Sequence, residues 1–203
     1  MLKKQILLKL HLFFLYLFDL LLLNFIIIIL SIPIITIGIT LTSAYDVLIR
    51  REKNSDSYLI KVFFHSFKKN FIQATVVWML LLLFNLGNIT LFLMYGTGNL
   101  FFLVFVIFSF ILTCLIYIYI FPLIARYYFD LRKLLATSLY LAMKYWRQTS
   151  MLVLLQFVPI FLSIRYIDLF LPLTLISSLF IGFSLSLLIS TKILIPIFGK
   201  SIK

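Results

Sequence analysis

An all-α, polytopic membrane helix bundle is the fold class this sequence predicts, with about five transmembrane helices and two cytoplasmic amphipathic interfacial helices. Three observations predict it. Of the 203 residues, 64% are hydrophobic and 12% are charged, whereas an ordinary soluble domain is roughly 45–50% apolar and about 25% charged. Mean hydropathy is +1.20. Charge is also missing from stretches longer than the roughly 20 residues a helix needs to cross about 30 Å of hydrocarbon. One small core cannot hide so much apolar surface. Soluble enzyme, secreted disulfide scaffold, disordered tail and fibrous repeat are thereby excluded, and the lone Cys114 has no internal partner for a disulfide.

The elements follow from where charge is absent, within a single membrane domain, 1–203. Span one covers 20–41, between Asp19 and Asp46. No charge occurs between Lys69 and Arg126, and the turn signal Tyr95-Gly96-Thr97-Gly98-Asn99 divides that stretch into span two, 71–94, and span three, 100–125. Span four is 150–164. A polar turn at Arg165-Tyr166-Ile167-Asp168 leads into span five, 169–191. Residues 1–18 form either an interfacial helix or a tilted extension of span one. Met1-Leu2-Lys3-Lys4 resembles the start of a signal peptide, but the apolar run behind it is too long, so span one is retained.

Two loops between spans read as helices. Asn54-Ser55-Asp56-Ser57 offers capping oxygens. After it, Ile60, Phe63, Phe64, Phe67, Phe71 and Ala74 recur at helical spacing, opposite Lys61, His65, Lys68 and Lys69. In the second loop, Leu131, Leu134, Leu135, Leu139, Ala142 and Trp146 oppose Asp130, Lys133, Thr137, Lys144 and Gln148. Each reads as an amphipathic helix anchored in the headgroup region or docking a cytoplasmic partner. Lys61, His65, Lys68, Lys133, Lys144 and Arg147 are the candidate partner or lipid contacts.

The net charge of +12 is assigned to the membrane surface and not to nucleic acid, since no basic run is interleaved with stacking aromatics outside the apolar segments. Fourteen of the eighteen lysines and arginines fall in the segments 46–70 and 126–148 and in the C-terminal tail. The positive-inside rule places these in the cytoplasm. Lys3, Lys4 and Lys9 are discordant, lying on the other side if span one crosses.

Little in the sequence carries chemistry. His11 and His65 lack metal-ligand spacing, and no phosphate-binding loop or nucleophile motif is present; no enzyme activity, cofactor or metal is expected. Hydroxyls within spans, such as Thr36, Thr40, Ser184 and Ser186, read as helix–helix contacts or bonds back to helix carbonyls. Asn24, Asn85 and Asn88 read as hydrogen-bonding partners inside the bundle, or as a polar path for a solute. Asp46 and Arg50, and likewise Arg126 and Asp130, stand four apart and read as ion pairs at helix ends. Ser31-Ile32-Pro33, then Thr36-Ile37-Gly38, interrupts span one. Pro33 lacks a backbone donor and Gly38 a side chain, which predicts a kink or a close packing contact.

These last residues carry a resemblance. Ser31 to Gly38 running on to Ala44-Tyr45, then Phe63-Phe64-His65-Ser66-Phe67-Lys68-Lys69-Asn70-Phe71-Ile72-Gln73-Ala74-Thr75, resembles the YesL-like family of bacterial membrane proteins of unknown function. Phe121-Pro122-Leu123-Ile124-Ala125-Arg126-Tyr127 and Pro196-Ile197-Phe198 are also similar to that family's pattern. Pro33, Thr36, Gly38 and Arg126 are accordingly the candidate packing or functional motif. The resemblance implies a multi-pass plasma-membrane protein of the kind often encoded beside sugar-uptake ABC transporters, with no reaction assigned. The expected function is an accessory component of such a carbohydrate uptake system, in contact with its subunits, with anionic lipid, or with copies of itself. The alternative is a small transporter in its own right.

Overall fold

The structure is a computed structural model that describes residues 2–53, 58–95, 98–165 and 182–201, with the side chains of 10–11, 13–52, 58–95, 98–156 and 182–200. Among these the chain is helical, with no strand. Seven helices follow one another: α1 (Leu2–Ser31), α2 (Ile37–Lys53), α3 (Leu59–Tyr95), α4 (Leu100–Arg126), α5 (Leu131–Lys144), α6 (Trp146–Arg165) and α7 (Phe183–Ser201). Four helices are long and apolar enough to cross a membrane, over Phe13–Ser31, Leu59–Tyr95, Leu100–Arg126 and Phe183–Lys200. The multi-pass helical class is therefore as expected. The expected fourth span lies on α6. Most of the fifth, 166–181, is outside the described residues, as are the capping residues 54–57.

The stretch 20–41, read as one crossing, doubles back. α1 stops at Ser31 because Pro33 cannot donate to the helix ladder, and a short 3₁₀ turn at Ile34–Thr36 reverses the chain into α2. The two arms meet at both ends. Near the turn, Thr40 Oγ1 donates to the Leu30 carbonyl at 3.4 Å. Far from it, Arg51 Nη2 lies 2.6 Å from Asp19 Oδ2, and its guanidinium lies over the Tyr16 ring at 4.5 Å. α1 and α2 are thus an antiparallel hairpin and not a kinked rod.

This hairpin packs into the side of the long α3–α4 hairpin. α1 turns Leu20, Leu23, Asn24 and Ile27 inward and leaves Phe13, Phe14, Phe18, Phe25 and Ile29 exposed. α2 is the centre of the bundle, with Thr42 through Ile49 all buried. Around it the lower half of α4, Ile118 to Ile124, is buried too. Beyond this level α3 and α4 stand clear. Leu83, Phe84, Leu86, Ile89, Phe105 and Phe108 are exposed there, and the two helices are tied by Ser109 Oγ donating to Asn88 Oδ1 at 2.6 Å. At the turn, Asn99 caps α4 by accepting from the Phe101 N–H at 3.0 Å.

The loop helices differ from their sequence reading. The 60–74 segment does not lie apart and then turn into a span; it is the first third of α3, which runs unbroken for 37 residues, about 55 Å. Nothing between Leu59 and Leu86 is Gly or Pro, so nothing breaks it. Its buried stripe is Leu59, Phe63, Ser66, Asn70, Ala74 and Val77, while Ile60, Phe64 and Phe71 are exposed. α5 buries Leu134, Ser138, Leu141 and Ala142 and packs along α4, with Leu131 exposed. Thr149 locks the α5–α6 joint to α4: its Oγ1 lies 2.8 Å from Tyr119 Oη and 3.1 Å from the Ala142 carbonyl.

Candidate functional site

Two places gather the residues the sequence singled out. The first is the elbow between α1 and α2. Pro33, Thr36 and Gly38 are together here, as their spacing requires. The Thr36 hydroxyl lies against the carbonyls of Leu30 and Pro33 and shares its one proton between them, meeting at Leu30 a group freed by the end of α1. Trp78 Nε1 donates to the Ile34 carbonyl at 2.7 Å, fastening the turn to α3 near that helix's midpoint. Gly38 is where α2 touches α3. A Cβ built on it would stand 2.4 Å from Trp78 Cβ, 2.7 Å from the Ala74 carbonyl oxygen and 3.1 Å from Phe121. Only glycine permits that approach.

The polar groups around the elbow are spent locally. Thr42 donates to the Gly38 carbonyl at 2.9 Å and Ser43 to that of Ile39 at 2.8 Å. On α7, Ser190 and Thr191 bond their own helix in the same i−4 manner. Asn24 reaches across to accept from the Ser184 N–H at 3.1 Å, at the start of α7. The asparagines do not bond one another: Asn85 and Asn88 each donate to a carbonyl one turn back. Asp46 pairs with Arg50 at 2.9 Å as its spacing implies.

The second place is the extended segment 127–130 joining α4 to α5. α4 ends at Arg126, so helical i,i+4 spacing does not apply across the boundary, and Asp130 forms no ion pair among the described residues. Here cations lie on rings. The Arg126 guanidinium is 5.4 Å from the Tyr127 ring, Lys69 Nζ is 4.7 Å from that of Tyr128, and Lys133 Nζ is 4.5 Å from that of Phe129. The Tyr127 and Phe129 rings stack at 5.4 Å. Gln73 Nε2 pins the segment to α3 by donating to the Phe129 carbonyl at 2.6 Å. Arg126 Nη1 is buried and has no hydrogen-bond partner among the described residues. Sequence reasoning placed Lys69 only on the polar side of α3; the signal it lacked is the return of Tyr128 from α4, 59 positions later.

The remaining candidates are not assembled into one site. Lys61, His65 and Lys68 are exposed along the start of α3. Lys144 and Arg147 flank the α5–α6 joint, against Tyr140, Tyr145 and Trp146. A hydrogen bond to Tyr140 raises the Lys144 pKa above its ordinary value. Among the described residues no group of three or more His, Cys, Asp or Glu side chains could hold a metal ion. An open groove along α1, lined by His11, Phe14, Leu15, Leu17, Phe18 and Leu21, is almost wholly apolar.

No curated protein and no solved structure matches the chain. The family model described as protein of unknown function, DUF624, matches residues 11–92, which hold most of α1, the elbow, α2 and most of α3. Over those residues, fewer than half of the chain, it is similar to that family, and the part of the resemblance carried by Ser31 to Thr75 falls within the match.

Proposed function

We propose that this multi-pass membrane protein is non-catalytic and works by association, as an accessory component of a bacterial carbohydrate (ABC-type) uptake system, with its basic end in the cytoplasm. The carbohydrate link rests on the family resemblance. The observation that carries the association itself is the start of α3. Its inward stripe from Leu59 to Asn70 is buried in the bundle, which leaves Lys61, His65 and Lys68 displayed on a continuous helix. A displayed basic row on a rigid element is suited to an acidic partner surface. The central helix α2 favours this reading over a transport path of its own, because its hydroxyls bond helix carbonyls and its Gly38 face is closed against α3.

The elbow also supports a cytoplasmic place for the discordant N-terminal lysines. With Asp19 beside Arg51, the turns of α1 before Asp19 run out at the end where Arg51, Lys69 and Arg126 lie. Lys3, Lys4 and Lys9 then follow the positive-inside rule with the others.

The test is co-purification in mild detergent with wild-type protein and the triple variant Lys61→Glu, His65→Glu, Lys68→Glu. One exposed ion pair contributes about 0.2–1 kcal/mol, so reversing three removes roughly 1–3 kcal/mol and adds repulsion. The variant is expected to insert normally and lose its transporter subunits. Recovery of the same subunits with a correctly inserted variant would reduce this helix to an anchor.

A further inference from the structure

We infer that the α4–α5 junction is a binding site for a phosphate-type oxyanion, taken by Arg126 with Lys69 and Lys133 beside it. The inference is independent of any transporter partner, since the residues of the proposed docking row on α3 are not used in it.

Four observations converge. Arg126 Nη1 is a buried donor with no acceptor among the described residues, and a buried, unpaired polar group of a charged side chain is costly. An acceptor brought from outside the chain removes that cost. Of the four carboxylates among the described residues, three are engaged elsewhere: Asp19 with Arg51, Asp46 with Arg50 and Glu52 with Lys192. Asp130, the acid nearest in sequence, pairs with none of the three cations among the described residues. Next, Lys69 and Lys133 come from different helices and are both held on rings of one short segment. A ring face orients a cation without neutralising it, so the junction keeps a positive field that an ion pair would have cancelled.

The chemistry then selects the ligand. A guanidinium is a planar fork of donors that matches a phosphate's oxygens, and lysine ammoniums add point charge around it. The junction is also open on one side. Tyr128 and Asp130 are exposed and Arg126 is only part-buried, so a ligand from solvent or headgroups can approach the junction, and a small outward shift of the guanidinium lets Nη1 meet it. The phosphate can be that of an anionic phospholipid or a free phosphate, and the experiment separates them.

Full-length protein, stripped of lipid in neutral detergent, is unfolded thermally while phosphatidylglycerol, phosphatidylcholine or inorganic phosphate is titrated in. Saturable stabilisation by phosphatidylglycerol or by phosphate, at a concentration about tenfold below any effect of phosphatidylcholine, is expected for a bound anion. A response to phosphatidylglycerol alone identifies a lipid headgroup; a response to inorganic phosphate identifies a soluble phosphoryl ligand. Arg126→Gln is expected to raise the half-saturating concentration about tenfold, and Lys69→Gln with Lys133→Gln to raise it severalfold. Should Arg126→Gln fail to fold, the double lysine variant and Arg126→Lys, which keeps the charge and loses the fork, carry the same test. Equal stabilisation by phosphatidylcholine, no stabilisation by any of the three, or variants that respond as wild type would overturn the site.

Discussion

The elbow and the α4–α5 junction are both breaks between helices, and they end differently. At the elbow the Thr36 hydroxyl meets the Leu30 and Pro33 carbonyls, Trp78 donates to Ile34, and the missing Gly38 side chain lets two helices touch. At the junction three cations are placed on rings with no carboxylate among the described residues to meet them, and one guanidinium nitrogen is buried without an acceptor there. A closed region of this kind holds the fold. An unfinished one is where something else fits. The lesson is that a motif of unusual residues, such as Pro33 with Gly38, need not be a working site, whereas an ordinary basic stretch can be.

Substitutions at the two places put that contrast at risk. The largest effect belongs to Gly38. Even Gly38→Ala puts a methyl 2.4 Å from Trp78 Cβ and 2.7 Å from a backbone oxygen, so thermal unfolding in detergent should show a loss of about 1–3 kcal/mol, and Gly38→Leu more. A Gly38→Leu protein of normal stability that has lost its cellular role would make the elbow a site after all. Trp78→Phe keeps the ring against Tyr117 and Phe121 but removes its bond to the Ile34 carbonyl, which retains the Ile37 N–H; a loss of about 1 kcal/mol is expected, as for one hydrogen bond. Pro33→Ala should be milder still, within about 0.5 kcal/mol, because the chain reverses through bonds made by Thr36 and Trp78. At the junction Lys69→Gln, on an exposed side chain, should also shift stability by less than about 0.5 kcal/mol. A large loss there would show that the cation holds the fold and is not waiting for a ligand.

How much of this was legible depends on distance along the chain and on the solvent. The break after Ser31, the turn at 95–99 and the Asp46–Arg50 pair are local, and local chemistry announces them. That the break reverses the chain rests on Asp19 meeting Arg51, 32 positions away, and no local pattern encodes it. The buried stripe of α3 is not separable from its other apolar residues by sequence, for a physical reason. Apolar character alone does not mark the contact face: Ile60, Phe64 and Phe71 are exposed, while small and polar residues such as Ser66 and Asn70 fill the helix contacts. Arg126 could be named from the resemblance, but its lack of an acceptor became visible only once α4 was seen to end there.

The central claim is the reversal at 32–36, and cysteine accessibility tests it most directly. In a Cys114→Ala background, Gln5→Cys precedes the elbow, Tyr58→Cys follows it, and Asn99→Cys lies at the turn between α3 and α4. Intact cells are treated with a membrane-impermeant thiol reagent, then permeabilised and treated again. A chain that doubles back protects both Gln5→Cys and Tyr58→Cys until permeabilisation, while Asn99→Cys is labelled from outside at once. A chain that crosses once over 20–41 puts the first two on opposite faces, and labelling of Gln5→Cys in intact cells with Tyr58→Cys protected would contradict the account.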